Sequence, residues 1–322
     1  MYKQKVYSVP LDGDVIYMLY RQDLVEDVGL PTPRSWEDVS LILDYYEGKD
    51  IDGDGVPDYG NCFSTAENDT ADNLFWAIAS SFLQTRGTSQ GTFFDPETME
   101  PKSNTKEFIQ VLKMYKKLVL HSPFIIKDEG VDWVENTDLF NQKKCVLFYS
   151  LPGRIKSIIS AQEENGMNAT LNLAPLPGKK CEADDDCPFA TDGVNFAPYL
   201  AGGGFCYAVN AKISEEKQSA AFDFALYLSD PGGSFWDVAH PSSFLDPSRL
   251  RHTSSLTNNQ TIESKAFLEF GWEPRQLSEY NRTFAFTYAF NGSKYQISFV
   301  SSNPFVSSSY IAVPTRSPAQ SC

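Results

Sequence analysis

The chain lacks any run near the roughly 20 apolar residues that a membrane-spanning helix needs, so none is expected within its 322 residues. Histidine is scarce, with only His121, His240 and His252, all far apart. That spacing leaves no local metal cluster and gives no histidine a neighbouring catalytic partner. There is no C-x-x-C, GxSxG, HExxH, P-loop or GxGxxG, so nothing marks a zinc site, a nucleophile elbow or a phosphate cradle. Positive charge is also short: 27 Lys and Arg face 42 Asp and Glu, a net charge of −15. Such a surface repels nucleic-acid phosphates and anionic lipid. Neither nucleic acid nor direct membrane insertion is therefore an expected partner. The opening MYKQKVYSVPLDGD has no apolar stretch of the kind a secretory signal carries.

What is present describes a folded chain. It is 42% apolar and 14% aromatic, with only 21% charged residues. That content, at this length, is enough for about two domain-sized cores. Cys181 and Cys187 bracket the turn-like EADDD and are expected to form a local disulfide. Cys62, Cys145, Cys206 and Cys322 allow three pairings, and Cys145, inside the apolar run CVLFY, also reads as a plain buried thiol. Five N-x-S/T sequons, at Asn68, Asn168, Asn259, Asn281 and Asn291, are candidate glycosylation sites. With the cysteine pair they lean toward an oxidising, extracellular or periplasmic compartment.

Strand and helix signals alternate, which predicts α/β layers. VYSVPLDGDVIYMLY at 6–20 opens as a strand and passes through a Pro and a DGD turn. A short helix should stop near Gly29. Ser35 and Asp38 form a capping box for a helix reaching about Tyr46. Further helices are predicted at 71–84, with Asn68 or Thr70 as cap, and at 105–120, with Phe108, Val111, Leu112 and Tyr115 on one face. CVLFYS at 145–150 reads as a buried strand, LNLAPLPG at 171–178 and GGGFCYAVN at 202–210 as two more. SEEKQSAAFDFALYLSD at 214–230 is a helix with an apolar stripe. Beyond 257 the periodicity is poor.

DIDGDGVPDYG at 50–60 is the sharpest local motif. Asp50, Asp52 and Asp54 occupy positions 1, 3 and 5 of a calcium loop, Gly55 turns it at 6, the Val56 carbonyl falls at 7 and Asp58 at 9. Position 12 is Asn61 where a bidentate Glu would complete the shell. Structural Ca²⁺ is the expected cofactor, against an ordinary acidic turn. Trp76, Tyr149 and Trp272 could stack on the apolar faces of a sugar, or simply pack in a core.

In sequence order these segments resemble the family 1 extracellular solute-binding proteins, the maltose-binding-protein-like receptors of ABC sugar importers. The resemblance starts in VYSVPLDGDVIYMLYRQDLVEDVGLPTPRSWEDV and runs through DIDGDGVPDYG, FFDPETMEP, CVLFYS and NLAPLPG to GGGFCYAVNAKISEEKQSAAFDFALYLS and PSSFLDPSRLRH. It implies a periplasmic-binding-protein type 2 fold: two α/β lobes, joined by crossing strands, that close on a ligand by hinge motion. The family places about a hundred residues before the first crossing strand, so the first lobe is expected to be incomplete and the chain truncated at its N-terminus. The implied divisions are 1–15 for the crossing strand and partial lobe 1, 16–201 for lobe 2, and 202–256 for the return strand and later lobe 1. Residues 257–322 remain unassigned.

The same resemblance implies that Asp14 bonds sugar hydroxyls, with Asp12 beside it. Asp72, Asn73 and Trp76 would border the cleft from a helix start, and Tyr149 and Ser150 from the loop after the lobe-2 strand. Pro152 falls near a family position for a stacking aromatic. The implied function is binding of a small polar solute, a carbohydrate, by lobe closure and without chemistry, in partnership with a membrane permease or receptor domains. The alternatives are a secreted calcium-dependent carbohydrate-active enzyme and a degenerate remnant that no longer binds.

Overall fold

The computed structural model describes residues 8–13, 16–65, 71–87, 90–123, 133–151, 153–155, 157–158, 161, 170–183, 185–196, 204–230, 233–234, 237–238, 240, 243–246, 285–290, 295–300 and 310–314. Asp14, Cys322 and all five sequon asparagines lie outside these residues, as do Asn68 and Thr70 as caps.

Period-two alternation organises the central sheet. Its strands are β2 (Tyr17–Arg21), β3 (Tyr59–Cys62), β4 (Cys145–Ser150) and β5 (Leu171–Pro175), in the order β3-β4-β2-β5. β2 is antiparallel to both β4 and β5, while β3 runs parallel to β4. Successive side chains of a strand point to opposite faces, and both faces are covered. Met18 and Tyr20 join one buried cluster with Trp36, Ile42, Ile78 and Leu118, whereas Tyr17 and Leu19 join a second with Phe140, Phe148 and Ile158. The sheet is thus the middle of a three-layer α/β sandwich, which is why CVLFYS is continuously apolar rather than alternating.

The helices follow local signals. α1 (Gln22–Val25) is a single turn and leads to a turn at Gly29, whose φ of 81° suits glycine. α2 (Trp36–Tyr46) starts on the reciprocal box: the Ser35 hydroxyl accepts from the Asp38 amide and the Asp38 carboxylate accepts from the Ser35 amide. Trp36, fully buried, donates its indole N–H to the Ser81 hydroxyl at 2.9 Å. α3 (Ala71–Leu83) and α4 (Lys106–Leu120) lie over the same face of the sheet, and α5 (Trp133–Asn141), which no sequence signal marked, reaches the other. On α4 the buried residues are Val111, Met114 and Leu118, while Leu112 is exposed. Phe108 and Tyr115 also pack against the core, so three of the four expected residues face it and Leu112 is the exception.

Two disulfides are formed among the described residues. Cys62–Cys145 joins neighbouring strands β3 and β4 across a sequence separation of 83, so Cys145 is not a free buried thiol. Closing a loop that long stabilises by about 4 kcal/mol in the chain-entropy picture. Cys181–Cys187 closes the expected short loop, inside the hairpin of β6 (Lys179–Lys180) and β7 (Val194–Asn195).

The second part of the molecule is slighter. β1 (Val9–Pro10) pairs antiparallel with β8 (Cys206–Tyr207), Val9 opposite Tyr207 and Pro10 opposite Cys206. The expected long strands at 6–14 and 202–210 thus reduce to one short ladder among the described residues. α6 (Glu215–Leu228) has Ser214 as its cap, but its apolar stripe is not buried. Phe222, Phe224, Leu226 and Tyr227 are all exposed, and only Ala225 is buried. Past 257, three antiparallel strands form a meander: β9 (Ala285–Phe290), β10 (Tyr295–Val300) and β11 (Tyr310–Pro314).

Candidate functional site

The β1–β8 ladder ends at a junction of three chain segments. Beyond β1, the amides of Leu11 and Asp12 both donate to the Phe205 carbonyl, at 2.9 and 3.1 Å. Gly204, at φ 87°, brings its backbone against the Asp12 carbonyl so closely that any side chain there would collide. The Asp12 carboxylate then accepts from Gly13 at 2.9 Å and from the Asp246 amide at 2.5 Å. Asp246 is fully buried, and its carboxylate accepts the Gly153 amide in the loop after β4. One short strip, 243–246, therefore connects the crossing strand to the large α/β sheet.

Two aromatic rings are exposed at this junction. Phe205 is 65% exposed beside Asp12, and Phe244 is 55% exposed with the Arg154 guanidinium 4.0 Å from its ring centroid. Carboxylate, guanidinium and exposed aromatic side chains are the group types that polyhydroxylated ligands meet in binding clefts.

The residues expected to line a cleft are distributed unevenly. Asp12 belongs to the junction, and Ser150, half-buried, ends β4 three residues before Gly153. Asn73 is half-buried near the start of α3. Trp76, also half-buried, packs edge-on against Phe93 with centroids 4.4 Å apart. Asp72 lies on the same helix turn, though its side chain is outside the described residues. Tyr149 corrects the expectation of a cleft ring: it packs in the core beside Trp36 and Phe63, at centroid distances of 6.4 and 6.5 Å. Burial pushes its phenol pKa up, and its hydroxyl has no hydrogen-bond partner. β4 alternation explains the error, because Tyr149 points with Leu147 into the α2–α3–α4 face.

The acidic loop 50–58 gathers a separate cluster of carboxylates. The Asp50 carboxylate accepts the amides of Gly55 and Gly53 at 2.7 Å each and of Asp54 at 3.2 Å, and these bonds hold its pKa below the usual range. Asp58 is buried and accepts the Ile51 and Asp52 amides. Carboxylate oxygens of Asp50, Asp52 and Asp58 lie within 4.8 Å of one another. Val56 is exposed at the loop tip. Asn61, at position 12, is fully buried; its side-chain N–H₂ donates to the Leu118 and His121 carbonyls, and its Oδ1 has no hydrogen-bond partner. The ammonium of Lys144 reaches into the loop, at 2.6 Å from Asp52, 2.7 Å from Asp54 and 3.2 Å from Asp58. Hydrogen bonds to Asp52, then Asp54, push the lysine pKa up.

A sequence profile of the bacterial extracellular solute-binding proteins matches residues 1–235. The chain belongs to this family. Among solved structures, a solute-binding protein from Agrobacterium radiobacter K84 in complex with ribitol aligns at TM-score 0.57 and 18% identity, covering 85% of this chain and 63% of its own. Maltose-bound MalE3 of T. maritima aligns at 0.56 and 17%, covering 87% and 66%. The GacH receptor of Streptomyces glaucescens, solved with acarbose, aligns at 0.54 and 17%, covering 87% and 73%. At such identities the likeness establishes the fold, that of the type 2 periplasmic binding proteins. This solute-binding family member spans just under two thirds of the first of these relatives. No curated protein matches the sequence significantly.

Four residues of the junction, Phe205, Phe244, Asp246 and Arg154, escaped sequence reasoning. Each stands outside any chemical motif, and only the chain crossing brings 153, 205 and 246 together.

Proposed function

We propose that this solute-binding family member binds a small polar solute, a sugar or polyol, at the junction around Asp12, and releases it unchanged. The observation carrying this reading is the Asp12 turn itself. It holds a carboxylate beside exposed Phe205 where the chain passes from the β1–β8 ladder to the large sheet. Carboxylate–hydroxyl hydrogen bonds would orient the ligand, ring stacking would supply apolar contact, and closure would exclude water. The relatives' ribitol, maltose and acarbose indicate the chemical class to test. Family membership supports delivery to a membrane permease or to receptor domains, in an extracellular or periplasmic setting. A carbohydrate-active enzyme would need two carboxylates roughly 5–10 Å apart across a sugar-sized gap. Calorimetry against maltose, maltotriose, mannitol and ribitol, with product analysis on each binder, tests the proposal. Micromolar binding with recovery of intact ligand is expected; turnover would favour the enzyme, and silence across the panel the remnant.

We further propose that the 50–58 loop takes Ca²⁺ through the carboxylates of Asp50, Asp52, Asp54 and Asp58 and the Val56 carbonyl, in competition with Lys144. The loop's four carboxylates, three of them on the one ammonium, leave negative charge unbalanced, and oxygen donors suit a hard cation. Lys144→Gln should therefore tighten calcium binding about tenfold, since it removes the competing charge. Titration of wild type and K144Q with Ca²⁺, and melting with and without EGTA, decide it. No response in either protein would leave Lys144 as the loop's own counter-ion.

A further inference from the structure

We infer that Asp44, Glu47 and His121 form a site for a divalent transition ion, with Zn²⁺ as the ion that suits them best. The site is independent of the solute-binding junction and of the 50–58 loop. One ligand atom from each of the three side chains lies within 4.8 Å of the others. Oxygen and nitrogen ligands about 2.0–2.2 Å from zinc are themselves roughly 3–4 Å apart, so small side-chain rotations close the shell. An imidazole nitrogen beside two carboxylates is a borderline donor set. It favours zinc and its neighbours over Ca²⁺ and Mg²⁺, which take all-oxygen shells.

The sequence keeps His121 far from both acids, and the fold brings them together where three elements meet. Asp44 and Glu47 stand three residues apart at the end of α2 and so share one face. His121 caps the C-terminus of α4. Its carbonyl accepts the Asn61 backbone amide at 3.1 Å and the Asn61 side-chain amide at 3.0 Å, which ties the cap to β3. Gly60, the preceding residue of β3, lets α2 come close. A Cβ there would collide with the Leu43 side chain and would sit 3.7 Å from the His121 Cβ. The three ligands therefore ride on the ends of rigid elements.

The electrostatics of these ends call for a cation. A helix C-terminus carries about half a unit of negative charge and is stabilised by positive neighbours. The last turn of α2 has no basic residue, and Asp44 and then Glu47 at the cap add further negative charge. Lys117 of α4 pairs with Asp44 at 2.7 Å. Among the described residues, no ion pair or hydrogen bond engages the Glu47 carboxylate or the His121 ring. A dication between them offsets both helix ends and the unpaired acid together. Asp44 can still take part, because a carboxylate offers about four lone-pair sites. The Lys117 charge opposes the ion, which sets the expected affinity in the micromolar range.

The test is a Zn²⁺ titration by calorimetry of the chelator-treated full chain, paired with melting curves, with Ca²⁺ and Mg²⁺ as comparison ions. One Zn²⁺ per chain should bind and raise the melting temperature by a few degrees at saturating metal. Glu47→Gln removes an acid from a helix C-terminus, so its metal-free melting temperature should be unchanged or higher while zinc weakens about tenfold. His121→Ala should weaken zinc at least about tenfold, judged against its own metal-free baseline, and should respond to Ca²⁺ as the wild type does. Absence of zinc binding in the wild type, or wild-type zinc affinity in either variant, would overturn the site. Equal protection by Zn²⁺, Ca²⁺ and Mg²⁺ would overturn it as well, because exposed acids would then be gathering counter-ions without a built shell.

Discussion

A phenol hydroxyl taken out of water costs free energy unless it finds a hydrogen-bond partner. Tyr149 keeps such a hydroxyl in the core of the large sheet, 6% exposed and unpartnered. Tyr149→Phe should then be neutral or stabilising, by up to roughly 1 kcal/mol, because it removes an uncompensated desolvation and leaves the ring packing intact. Urea denaturation measures the stability, and calorimetry on the same variant checks that solute affinity does not change. A loss of affinity would mean the hydroxyl reaches ligand after all. Lys144 carries a related lesson. The motif DIDGDGVPDYG was legible as a cluster of acidic side chains on a tight turn, but the lysine that enters it comes from about 90 positions further along. No local pattern announces that arrival.

Elements whose ends are set by their own neighbours were the most legible. α2 begins at Trp36, behind its Ser35 cap, and ends at Tyr46, as its capping box and periodicity predict, because both signals act within four residues. Ser35→Ala removes the side-chain acceptor for the Asp38 amide, on a residue that is itself buried. The expected cost is about 1 kcal/mol in denaturant unfolding, with Ser35→Thr retaining most of the stability. If S35A unfolds with wild-type parameters, the cap contributes nothing and the buried Trp36 anchors the helix start alone. α6 shows the limit of the same reasoning. A stripe of Phe, Leu and Tyr says which residues could be buried, not what covers them, and here Phe224 and Tyr227 face solvent at 61% and 76% exposure. Leu112 on α4 fails similarly, since the face that meets α2 and α3 is chosen by packing rather than by hydropathy.

For the whole molecule, the order of segments carried more information than any one of them. Alternating strand and helix signals gave the α/β layers, and the ordered motifs gave the family. The junction was not legible in the same way. Its contacts join residues 12 and 246, 234 positions apart, and 153 and 246, 93 apart. Such pairings depend on how the chain crosses between sheets, and no single segment encodes that. Tyr149 was misplaced for a simpler reason: in a strand covered on both faces, hydrophobicity cannot say which neighbour points where. Ser150, at the end of that strand, stays close to the junction because position along a strand is more secure than facing.

The Cys62–Cys145 bond has a consequence for how the protein is made. Its halves are 83 residues apart, and β3 and β4 are parallel neighbours whose connecting segment includes α3, α4 and α5. The first cysteine emerges from the ribosome several seconds before the second, at synthesis rates of roughly 5–20 residues per second. Through that interval it is an unpaired thiol, and if oxidation waits until Cys181 and Cys187 have also emerged, they compete with Cys145 for it. Correct pairing thus depends on β3 docking beside β4 before oxidation overtakes it. A cell that exports the chain unfolded into an oxidising compartment must supply a catalyst of disulfide exchange, or accept a share of misbridged molecules.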